Sequence, residues 1–170
     1  MSPAAQCPHG WHRPETELAC LDDLEVVFRD GPPELVSVRF GERHAATHHL
    51  DRRLFFSVRV QAPGLDVRLE AVTNHVSGLG LPRFLDGLDF RGWDGERHWA
   101  NPDRDLSVVA TYRPGGRIDL AWTIRPWRKS VFGDWELTVP TSLEAGAEKD
   151  ELAAQLHRFL AAEGFPVEYR

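Results

Sequence analysis

The sequence predicts an α+β domain: an antiparallel sheet of about seven strands, curled or two-layered, with a short middle helix and a C-terminal helix packed on it. Three observations predict it. Apolar residues alternate with polar ones in several short runs between residues 24 and 139. Turn dipeptides such as Pro63-Gly64 separate those runs. One stripe at helical spacing, Leu152, Leu156, Phe159 and Leu160, closes the chain.

Residues 1–20 read as an irregular segment, because Pro3, Pro8, Gly10 and Pro14 interrupt any period. Residues 21–170 then form one domain, a length at which a single core needs no disulfide or metal. The first strand is 24–30, with Leu24, Val26 and Phe28 on one face, and the second is 36–40, with Val36, Val38 and Phe40. A polar, solvent-facing loop follows, holding His44, His48, His49, Asp51, Arg52 and Arg53.

Strands three and four, 54–61 and 65–72, form a hairpin. A two-residue loop sets Ala62 against Leu65, Val60 against Val67, Val58 against Leu69 and Phe56 against Ala71. A slip of one residue places Val60 against Asp66, so the apolar pattern selects this register. It also sets Arg59 opposite Arg68, a like-charge pair that Glu70 offsets diagonally. Residues 73–78 leave the sheet. Leu81, Phe84, Leu85 and Leu88 then mark a helix over 80–88.

Residues 89–102 read as a loop or short strand. Strands five and six follow, Leu106, Val108, Ala110 and Tyr112 facing Ile118, Leu120, Trp122 and Ile124. For the two faces to coincide, the loop between them has an odd number of residues, three or five. Pro126 ends strand six, and Trp135, Leu137 and Val139 mark strand seven. The last helix spans 147–163, with Glu148, Asp150 and Glu151 in its first turn and Gly164 just past its end.

Five of the six tryptophans, Trp93, Trp99, Trp122, Trp127 and Trp135, fall between residues 81 and 135. Asp94 and Glu96 beside Trp93 and Trp99 give the pairing a glycosidase uses, one carboxyl as acid and one as nucleophile or base. The competing reading is that Asp94-Gly95 and Asn101-Pro102-Asp103 are turns and the indoles close the core. Cys7, His9, His12 and Cys20 are metal-ligand types, but their spacing matches no structural zinc pattern. His157 is expected at the surface of the last helix. There is no Gly-x-Ser-x-Gly elbow, no phosphate loop and no dinucleotide fingerprint, so no cofactor is expected. A net charge of −6 argues against nonspecific contact with nucleic acid or an anionic membrane. No apolar run reaches the roughly 20 residues that span a bilayer, and no signal peptide is visible, so the expected location is the cytoplasm.

The stretch Phe90-Arg91-Gly92-Trp93-Asp94-Gly95-Glu96-Arg97-His98-Trp99 resembles a bacterial family of unknown function, family 6228. The likeness continues through Leu106–Thr111, Gly116–Pro126 and Trp135, and reaches the earlier strands by pattern alone. It implies no catalytic residues. The strand order and terminal helix are also similar to small bacterial immunity proteins of the WapI type, which neutralise toxins. The reading is therefore a non-enzymatic protein-binding module, immunity-like, with a toxin-like partner. Its expected contacts are Trp93, Asp94, Glu96, Arg97, Trp99, Trp127 and Arg128. The alternative is an enzyme or small-ligand binder using Asp94 and Glu96.

Overall fold

The computed structural model describes residues 26–30, 35–45, 53–75, 80–126 and 134–161. Strands β1 (Val26–Asp30), β2 (Val36–Ala45), β3 (Arg53–Ala62) and β4 (Leu65–His75) form one antiparallel sheet in that order. Helix α1 (Gly80–Asp86) leads to the second sheet. That sheet is β5 (Glu96–Ala100), β6 (Leu106–Arg113), β7 (Arg117–Ile124) and β8 (Leu137–Glu144), again in sequence order. Helix α2 (Ala147–Leu160) follows the second sheet.

The fold is thus α+β with two antiparallel layers, and it has eight strands among the described residues where the alternation predicts seven. The extra strand is β5. Its Glu-Arg-His-Trp-Ala sequence shows no apolar alternation because it is a sheet border, exposed at four of its five residues. Strand seven, now β8, runs on to Glu144 through Pro140, which a border strand tolerates and a central one does not. The Pro63-Gly64 hairpin keeps the expected pairs from Ala62↔Leu65 to Val58↔Leu69, with Gly64 at φ 76°. Beyond them β4 carries one extra residue, so Phe56 meets Val72 and not Ala71, and the strand continues to His75. Arg59 does lie opposite Arg68. Asp66 pairs with Arg59, while Glu42 and Glu70 both pair with Arg68. The β6–β7 loop has three residues, Pro114, Gly115 and Gly116.

The polar residues after the second strand do not all form a loop. His44 continues β2 and Arg53 opens β3, while His48, His49, Asp51 and Arg52 lie outside the described residues. An extra residue between Gly41 and His44 bulges β2, with Glu42 at φ 52°. The bulge shifts the alternation by one place. Glu42 therefore turns out to Arg68, and Arg43 turns into the protein, 7% exposed.

Between the layers lies one apolar core. Trp122 of β7 is fully buried and meets Phe40 of β2 edge-on at 5.7 Å. Phe159 of α2 stands perpendicular to Phe56 at 5.7 Å and lies 6.4 Å from Phe40. The stripe Leu152, Leu156, Phe159 and Leu160 is buried throughout. Leu81, Leu85 and Leu88 around α1 join the same core. His157 is half-buried rather than fully at the surface, and its Nε2 meets Asp86 at 2.7 Å, linking α2 to α1.

Two polar contacts complete this interior. The Trp122 indole N–H donates to Thr141 Oγ1 at 2.8 Å. Arg43 Nη1 donates to the Phe159 carbonyl at 2.7 Å, with the Arg158 and Ala161 carbonyls at 3.4 Å. These are carbonyls that no later turn of α2 satisfies, and the negative end of the helix dipole lies there.

Thr141→Val keeps the shape and orphans a buried N–H, so urea unfolding should show a loss of about 1–3 kcal/mol. Arg43→Met exchanges the guanidinium for an apolar chain and leaves the helix-end carbonyls without it. A loss of about 2 kcal/mol is expected on the same assay, since hydrogen bonds to charged groups contribute roughly 1.5–3 each. A midpoint unchanged by Arg43→Met contradicts its role.

Candidate functional site

The site residues lie on the segment between α1 and β6. After Leu88, Asp89 makes a turn: its Oδ1 accepts the Arg91 N–H at 2.9 Å and its carbonyl accepts the Gly92 N–H at 3.0 Å. Gly92 has φ 96°, and a Cβ there would sit 2.5 Å from the Tyr112 ring. Glycine is required on both counts. The close approach brings Trp93 onto Tyr112, their rings 5.6 Å apart and tilted by 54°. Asp94 and Gly95, the latter at φ 76°, then turn the chain into β5.

On β5 the alternation separates the expected contacts onto two faces. Arg97 pairs with Ala110 and Trp99 with Val108, so these two share the inner face of the sheet, where Trp99 is half-buried and Arg97 stays exposed at the border. Trp99 packs over Gly80, where a Cβ would come within 2.8 Å of its Nε1. Glu96 and His98 occupy the outer face, 3.3 Å from each other. Asp94 and Glu96 are both exposed, while Trp93 and Trp99 are partly buried against the core. The two carboxyls stand in solvent. A glycosidase acid is commonly held in an apolar environment that favours its protonated form.

The surface is richer in arginine and aromatic groups than the spacing suggests. Phe90 is 62% exposed, and the Arg91 guanidinium lies 5.4 Å from its ring centre. Arg97 lies 5.6 Å from the Trp93 ring centre. Stacking of this kind holds a planar cation in place while leaving its N–H groups to other acceptors. Among the described residues neither guanidinium meets a carboxylate. Among the described residues the buried Trp93 indole N–H has no acceptor, so the ring is held by its contacts with Tyr112 and Arg97.

Phe90, Arg91 and Tyr112 were not among the expected contacts. The adjacency of Phe90 and Arg91 was the available signal; the approach of Tyr112 depends on β6 and has none. Trp127 and Arg128 lie outside the described residues, as do Cys7, His9, His12 and Cys20. Among the described residues no three His, Cys, Asp or Glu side chains come together as a metal site. No described helix is long and apolar enough to cross a membrane.

The two glycines of the motif can be told apart by substitution. Gly92→Ala meets both an unfavourable φ and the Tyr112 ring, and should destabilise by about 2–4 kcal/mol. Gly95→Ala meets open space and only the backbone penalty, about 1 kcal/mol. Equal losses in thermal unfolding contradict the Tyr112 contact.

The model of a family of unknown function, DUF6228, matches residues 29–163, most of the chain. No curated protein and no solved structure matches it.

Proposed function

Because the chain belongs to the family of unknown function DUF6228, whose description names no activity, we propose a role from the geometry: a non-enzymatic protein-binding module. Its contact surface is the loop from Phe90 to Arg97 with the outer face of β5. One observation carries this reading. An exposed phenylalanine and two aromatic-stacked arginines, which meet no carboxylate among the described residues, lie between Phe90 and Arg97 on the turn before β5 and the start of that strand. Tryptophan, tyrosine and arginine dominate binding hot spots because they combine large area with directed donors and few rotamers to freeze. The exposure of Asp94 and Glu96 favours this reading over acid–base catalysis.

The likeness to WapI-type immunity proteins supports a toxin as the partner, held in an inactive complex in the cytoplasm.

The test mixes the purified chain with the product of each gene flanking its own. A complex should elute as one species in size-exclusion chromatography. The double variant Phe90→Ala, Arg97→Ala should weaken it about tenfold or more, some 1.4 kcal/mol. Arg158→Ala, on the exposed side of α2, should leave it unchanged. Absence of any complex, or a double variant that binds like the intact chain, refutes the proposal.

A further inference from the structure

A small polar cluster just past the end of β5 bonds the second sheet to β4 of the first, forming a short seam between them. Asn101 follows β5 directly. Its Nδ2 donates across to the Thr73 carbonyl of β4 at 3.1 Å and also to Asp105 Oδ1. Its Oδ1 accepts the Leu106 N–H at 3.1 Å. The turn between is tight: the Arg104 N–H reaches the Asn101 carbonyl at 3.0 Å, with Arg104 at φ 58°. Asn101 is 3% exposed and Asp105 is 5% exposed.

We propose that Asp105 is a proton-controlled latch on this seam, tightest when its carboxyl is protonated and looser when it ionises. The groups around it give the reason. From β4 it faces the Thr73 side of the seam, where a carbonyl oxygen already takes one Asn101 N–H. On its own turn Asp103 adds a like charge. Arg104 is exposed on that turn and makes no ion pair with it. Arg125, just past β7, gives Asp105 only a backbone N–H, at 2.9 Å to the carbonyl. Its guanidinium instead donates to the Arg104 carbonyl at 2.7 Å and points toward Glu136 at 4.0 Å. Among the described residues an ionised Asp105 is therefore buried without a cation, an arrangement that favours opening to water.

Burial pushes the carboxyl up to about 6, Asp103 adds to the rise, and the Asn101 hydrogen bond opposes it. In an opened seam the group returns to the ordinary value near 3.9. The closed state thus binds the proton more tightly. Its extra stability is full below about pH 4, declines as pH rises, and is gone above about pH 6. The seam borders β5, which carries Glu96, Arg97 and Trp99, so the latch sets how firmly that strand is held. This holds whether or not the loop binds a protein.

Hydrogen exchange on the unmodified chain tests it. After correction for intrinsic exchange, the opening constant of the Glu96–Ala100 amides should rise about tenfold from pH 5 to pH 7. Asp105→Asn keeps the side-chain oxygen that Asn101 contacts and every histidine, and its opening constant should stay flat. A carbon-13 titration of the Asp105 carboxyl in the intact protein should show a midpoint near 6. A midpoint near 4, or the same rise with pH in Asp105→Asn, overturns the latch.

Discussion

The architecture depends on how a cation is kept inside it. Burying a guanidinium costs several kcal/mol unless it is compensated. Arg43 is compensated by the carbonyls at the end of α2, to which its guanidinium donates. Its guanidinium also lies 5.9 Å from the Phe159 ring centre. The contact fixes where the terminal helix stops against the first sheet, and with it the position of Phe159 over Phe40 and Phe56. The bulge at Glu42 makes this possible. Without the extra residue Glu42 would point into the same apolar space, and a carboxylate facing helix-end carbonyls has no compensation at all.

The same logic of local sequence deviations runs through the second sheet. Gly92 exists so that Tyr112 can approach, and that approach holds Trp93. Trp93 in turn offers its face to Arg97. Arginines held in this way have fewer rotamers left to lose, and the ordering of side chains is one of the costs of any association.

Much of the fold was readable from residue pattern. The β6–β7 hairpin came out in full, because both strands bury every second residue and only an odd loop aligns them. The hairpin of β3 and β4 was right up to Leu69, where the period of two fails: the extra residue on β4 leaves no mark in a run that is apolar at both Ala71 and Val72. β5 is hard to read from the sequence for the opposite reason, since a border strand in solvent has no alternation to detect. Arg43 was invisible. Its role rests on carbonyls more than a hundred residues away, and nothing in Gly41-Glu42-Arg43-His44 encodes them. At the candidate site the motif marks the turn that Gly92 and Gly95 make, but spacing cannot show that the side chains of Asp94 and Glu96 stand in solvent.

The reach of Arg43 also has a bearing on synthesis. Arg43 and Phe159 are 116 positions apart. At about 5–20 residues per second, roughly 6 to 20 seconds pass between the emergence of one and the other from the ribosome. Once β4 has emerged, the first sheet has its strands but not its lid, and the faces of Phe40 and Phe56 stay open to solvent until α2 arrives. A chain truncated before the last helix would keep that apolar surface exposed.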